Sequence, residues 1–138
     1  MAEVTTERNW AGNHTYRARI ERVRSVEHLQ ELVAEAPRVR ALGSRHSFTD
    51  ITDITDTGGG VLVSLADLPT TVAVDPASRT ASVTGRAAYG DVATQLQAAG
   101  WALGNLASLP HISVAGAVAT GTHGSGVENG SLATSVAS

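Results

Sequence analysis

Between Gly104 and Gly130 the chain reads GNLASLPHISVAGAVATGTHGSGVENG, almost entirely small residues. Nothing else in the sequence narrows the fold as much. A glycine inside a helix costs up to about 1 kcal/mol relative to alanine, so one helix is not expected to run through the segment. Ile112, Val114 and Val118 nevertheless require that parts of it are buried. Small side chains let backbone approach backbone, or a ligand, closely.

The 138 residues suit one ordinary domain. Apolar residues make up 42% and aromatics only 4%, so alanine, valine and leucine must fill the core. A net charge of −3 is too small, and of the wrong sign, for a nucleic-acid footprint. All ten basic residues are arginine. That excludes a P-loop lysine and a Schiff-base lysine within these residues. Without cysteine there is no disulfide framework, thiol nucleophile or cysteine-based zinc site. The opening MAEVTTERNW has no basic-then-apolar signal pattern, and no run approaches the length of a membrane span. A soluble, cytoplasmic protein is expected, with no nucleic-acid or membrane partner. The sequons at Asn13 and Asn129 carry no weight without a secretion signal.

Ser25 to Ala36 reads as a helix, with Ser25 as N-cap, Glu27 in the first turn and positions 26, 29, 32, 33 and 36 on one face. Pro37 stops it. Arg38 to Leu42 reads as a short strand feeding a glycine loop, and loops after strands are where ligands meet backbone N–H groups. Gly58-Gly59-Gly60 marks a turn, and Val61 to Leu65 a compact strand. Val72–Val74 and Thr80–Thr84 form a hairpin around an Asp75-Pro76 turn. Tyr89 to Ala99 is a second helix, with Tyr89, Val92, Ala93, Leu96 and Ala99 on one face and Gly100 as its cap. Ser131 to Ser138 has no terminal helix or polar tail, and is expected to be a cut rather than a natural end.

Common signatures are missing. There is no G-x-G-x-x-G, no G-x-S-x-G and no H-E-x-x-H. The five histidines (14, 28, 46, 111 and 123) have no metal-ligand spacing, so no metal is expected. No paired carboxylates sit in a plausible cleft segment. Two glycine-rich loops remain. One is Gly43-Ser44-Arg45-His46-Ser47, flanked by Leu42 and Phe48, which look buried. The other runs from Ser108 through Ser113 to Gly116 and continues to Thr120-Gly121-Thr122-His123-Gly124-Ser125-Gly126. Converging N–H groups, hydroxyls and small side chains suit a pyrophosphate. Plain structural turns account for the same residues. His46 is either a presented nucleophile or a histidine bonded to its own turn. His14 and His28 are expected to be solvated, and His111 and His123 are not read as catalytic. Arg45 either pairs with a phosphate or lies in solvent.

Taken together, GSRHSF and SLPHISVAGAVATGTHGSG resemble the PCMH-type FAD-binding domain of the vanillyl-alcohol-oxidase-type flavoproteins. Within that superfamily the chain most resembles the alditol and xylitol oxidases, relatives of the aldonolactone oxidases. Asn9-Trp10-Ala11-Gly12-Asn13 matches the same subgroup. The resemblance covers nearly the whole chain.

It implies an α/β (α+β), two-lobed FAD-binding domain. The first lobe would take residues 1–70 and an incomplete second lobe residues 71–138; the substrate domain, with most polar catalytic residues, would be absent. Ala41, Leu42, Gly43, Ser44, Arg45, His46 and Ser47 would wrap the FAD pyrophosphate. Ser108, Ser113, Gly116, Thr120, Gly121, Thr122 and His123 correspond to further FAD contacts. A histidine at the position of His46 often carries a covalent bond to the flavin 8α-carbon in this family. Some alditol oxidases have glycine where this chain has Arg45. The complete enzyme would oxidise a polyol by hydride transfer to flavin, with O2 as acceptor and hydrogen peroxide as product; this piece alone is expected to be inactive. Aldonolactone oxidases and dehydrogenases share these loops, as more distantly does the reductase that makes UDP-N-acetylmuramate, which holds FAD without a tether. A non-catalytic nucleotide-binding fragment is the alternative outside enzymes.

Overall fold

The computed structural model describes residues 7–55 and 58–137. The chain divides into two compact units, the first ending at Leu68 and the second beginning at Pro69.

The first unit holds β1 (Arg19–Arg22), α1 (Val26–Glu35), β2 (Val39–Leu42) and β3 (Val61–Ser64). The strands form one parallel sheet in the order β1-β3-β2, with Val61 opposite both Arg19 and Val39. β3 is buried at all four positions, as expected of a parallel strand covered on both faces. Its side chains alternate. Val61 and Val63 pack with Val23 against Leu29, Leu32 and Ala36. Leu62, fully buried, packs with Tyr16, Leu42 and Ile54.

α1 begins where its cap predicts: Ser25 Oγ accepts the His28 N–H at 3.1 Å. Its apolar stripe is narrower than the spacing suggests. Val26 and Val33 stay 56% and 51% exposed, while Leu29 and Leu32 meet the sheet. β1 was not legible. Its sequence RIER has one apolar residue, and pairing with β3 fixes it as an edge strand.

In the second unit, β4 (Val72–Asp75) and β5 (Thr80–Val83) form an antiparallel hairpin. Asp75 builds the turn: its carboxylate accepts the Ala77 N–H at 3.0 Å and the Ser78 hydroxyl at 2.6 Å. The hairpin packs through Val72, Val74, Ala81 and Val83 on Ala87, Val92 and Leu96, the last two on α2 (Tyr89–Ala98). Gly100, at φ +81°, follows as the cap. A second cluster joins Tyr89, Ile112, Ala117 and Leu132. Within the glycine-rich run, α3 (Val114–Ala119) is a single six-residue helix, and Leu132–Ser135 is a 3₁₀ turn. Among the described residues no helix is long and apolar enough to cross a membrane.

Candidate functional site

β2 ends on buried Leu42, which anchors the strand while Gly43 to Ser47 leave the C-terminal end of the sheet. Arg45 turns the loop at φ +65°. A left-handed conformation is uncommon for a residue with a side chain. Successive N–H groups around such a residue make an anion-binding concavity.

The segment from Arg8 to Thr15 closes on itself by an antiparallel bridge between those two residues and lies against this loop. The Trp10 N–H donates to Arg45 O at 2.8 Å. The Asn9 side-chain amide donates to Ser47 O at 2.9 Å, and that of Asn13 to Phe48 O at 2.9 Å. Three loop carbonyls are therefore tied back. All peptide bonds of the described residues are trans, and in a trans peptide C=O and N–H point in opposite directions. The N–H groups of His46, Phe48 and Thr49 thus face away from the N-terminal segment. Those of Phe48 and Thr49 donate to nothing else among the described residues. The His46 ring lies against Trp10, with centroids 5.1 Å apart and planes tilted by 32°.

Three expectations are corrected here. Phe48 is 57% exposed and not buried; the loop is held through its carbonyl instead. Arg45 does not lie in open solvent: its side chain is 25% exposed and its guanidinium pairs with Glu7. His14 is not a solvated residue. Its side chain is 15% exposed, and Nε2 lies 3.0 Å from Asp53 Oδ2. A carboxylate only accepts, so Nε2 carries the proton.

Asp53 is the buried charge of this unit, 3% exposed. It accepts from the N–H of Arg17 at 2.9 Å, of Ala18 at 3.3 Å and of Ile54 at 2.9 Å, besides His14. Burial pushes its pKa up, but those hydrogen bonds outweigh burial and hold it below the usual carboxylate value. Asp53 thereby fixes the chain leading into β1, and through His14 the turn that carries Asn9 and Asn13. Asn9 and Asn13 appeared in the sequence only as a matching string, and Asp53 had no local signal.

The second group of predicted residues lies in the second unit. Ser113 is the N-cap of α3 and is buried. The N–H groups of Val114 and Ala115 donate to Ala87 O at 2.8 Å and Gly85 O at 2.9 Å, so the first turn of α3 cannot give them to an anion. Gly116 is a packing requirement: a Cβ there would lie 2.7 Å from Ser113 Oγ. Thr120 ends the helix, and its hydroxyl donates to Gly116 O at 2.9 Å. Gly121 turns at φ +68°, and Thr122 Oγ1 lies 3.4 Å from Thr120 Oγ1. His123 Nδ1 lies 3.0 Å from Gly124 O. A carbonyl only accepts, so Nδ1 is the donor. Ser108 is exposed on the stretch before Ile112. Among the described residues no cluster of three or more metal-ligating side chains occurs.

Comparison with known proteins accounts for this arrangement. A family described as FAD binding domain matches residues 18–138. The chain belongs to that family. This FAD-binding domain is 48% identical over 130 residues to an alditol oxidase of Streptomyces sp. (strain IKD472 / FERM P-14339), covering 93% of the chain and 31% of the relative. It is 35% identical over 135 residues to an L-gulono-1,4-lactone dehydrogenase of Mycobacterium tuberculosis, covering 94% and 31%. Its fold matches the crystal structure of cholesterol oxidase from B. sterolicum with a TM-score of 0.72 at 20% identity, over 85% of the chain and 23% of that structure. The chain thus spans about a third of the length of these curated relatives. FAD is the cofactor of the family, and the outward N–H groups of the first loop fit its diphosphate.

Proposed function

We propose that this chain is the FAD-holding part of a sugar-alcohol oxidase. The complete protein would oxidise a polyol hydroxyl, xylitol being one such polyol, to the carbonyl of an aldose. Two electrons and two protons would pass to O2, giving hydrogen peroxide. One observation carries this: a loop at the end of a parallel strand has its carbonyls tied back and its N–H groups turned out, in a chain 48% identical to an alditol oxidase.

In this proposal the two units are the two lobes of the cofactor domain. Ala41 to Ser47 wrap the diphosphate with backbone amides. Ser108, Ser113, Gly116, Thr120, Gly121, Thr122 and His123 supply further contacts, chiefly hydroxyls and close backbone. FAD, when bound, supplies the two-electron acceptor. His46, held against Trp10, is the tether. The tether would be a bond from the His46 ring to the flavin 8α-carbon, made with loss of one hydrogen from each partner to O2, which would leave as hydrogen peroxide.

Flavin fluorescence of the denatured polypeptide tests this. Fluorescence that migrates with the wild-type chain and disappears in His46→Ala is expected. If the chain in its full reading frame binds FAD but releases all of it on denaturation, His46 is no tether. A second reading has its own support in the 35% identity to a lactone dehydrogenase. Turnover of L-gulono-1,4-lactone in preference to xylitol would select it.

A further inference from the structure

Two asparagine side chains outside the loop shape it. Asn9 is 4% exposed. Its amide donates to Ser47 O at 2.9 Å and to Asn13 Oδ1 at 2.6 Å, and its own Oδ1 accepts the His14 N–H at 3.1 Å. Asn13 passes the contact on, donating to Phe48 O at 2.9 Å. Both side chains capture carbonyls of the loop, and neither accepts one of its N–H groups. At Phe48 folding does not require this sorting. Phe48 is exposed, and water satisfies a carbonyl at such a turn as well as an asparagine does. The sorting instead leaves a row of donors on the opposite side.

We infer, on the FAD assignment above, that Asn9 and Asn13 are positioning residues for a diphosphate. By holding the carbonyls of Ser47 and Phe48 they aim the N–H groups of Phe48 and Thr49 at it. Donors already aimed need no reordering when the anion arrives. Hydrogen bonds to a charged acceptor are about twice as strong as neutral ones, so small errors in aim cost affinity.

Asn13 is exposed, which makes it the variant that tests aim and not folding. The full reading frame is used in a His46→Ala background, so that FAD binds reversibly. Asn13→Ala is expected to lower the affinity for FAD about tenfold, and the ligand-free melting temperature is measured beside it because Asn13 Oδ1 also accepts from the Asn9 amide. Asn13→Gln, which keeps the amide donor, is expected to recover most of that loss. Amide spectra give an independent signature: adding FAD moves the Phe48 and Thr49 protons downfield with Asn13 present, and much less in Asn13→Ala. If Asn13→Ala melts lower, Asn13→Asp is the second comparison. It keeps the acceptor for Asn9, lacks the donor, and carries the same expectation. Equal FAD affinity with and without the Asn13 amide, or unchanged amide shifts, overturns the inference and leaves the FAD assignment standing. If the parent chain binds no FAD, the assignment falls and takes the inference with it.

Discussion

Replacing Asp53 by asparagine keeps its size and removes one acceptor and the charge. Each carboxylate oxygen serves two donors: Oδ2 takes His14 Nε2 and the Arg17 N–H, and Oδ1 takes the N–H groups of Ala18 and Ile54. The new amide nitrogen must face one of these pairs. Facing Ala18 and Ile54, it opposes two backbone donors. Facing His14 and Arg17, it opposes only one, because His14 can move its proton to Nδ1 and accept. The second orientation is cheaper. It strands one buried N–H, at about 1–3 kcal/mol, and weakens the remaining bonds from charged to neutral. The expected loss is about 2–4 kcal/mol at pH 7. Urea unfolding followed by Trp10 fluorescence, with Trp101 replaced by phenylalanine in both proteins, reads this unit alone. The pH dependence supplies a sign. The folded pKa of Asp53 lies below the ordinary value, so its contribution is present above the unfolded pKa of about 3.9 and is lost as pH falls through the folded one. The gap between wild type and Asp53→Asn should therefore be full at pH 7 and narrow in acid below the usual carboxylate range. Equal stability at pH 7, or a gap that persists undiminished in acid, would refute the reasoning.

Two further substitutions probe the packing. Leu62→Ala hollows the centre of the first unit, where Leu62 is wholly buried between Tyr16, Leu42 and Ile54; a loss of about 2–5 kcal/mol in the same urea assay is expected. Gly124→Ala would set a methyl against Leu106 O and Asn105 Oδ1, and a cost of about 1–3 kcal/mol is expected by thermal melting of the second unit.

Elements whose cause lies within a few residues were legible in the sequence. α1 follows from Ser25 and a 3.6-residue stripe, the hairpin from the Asp75 turn, and β3 from an unbroken apolar run. β1 was missed because RIER takes its structure from a neighbour that comes 42 residues later in register. The loop at Gly43 was found because glycine and histidine follow a strand. Its support was not. Asn9 and Asn13 reach carbonyls 38 and 35 residues away, and His14 reaches Asp53 across 39. Such side-chain bonds have no period, and their polar neighbours make a partly buried His14 look solvated.

The glycine-rich run turns out to serve two needs that the sequence cannot separate. At Gly116 and Gly124 the space is taken by the chain itself, by Ser113 Oγ and by Leu106 O. At Val114 and Ala115 the N–H groups are already bonded to Ala87 O and Gly85 O. Thr120 has committed its proton to Gly116 O and can only accept. In the first unit the carbonyls of Ser47 and Phe48 are tied back and the N–H groups of Phe48 and Thr49 are turned out. Only proline deletes a backbone amide by substitution, and it locks φ at the same time, so anion binding by the first loop is tested more cleanly through the asparagines that aim it.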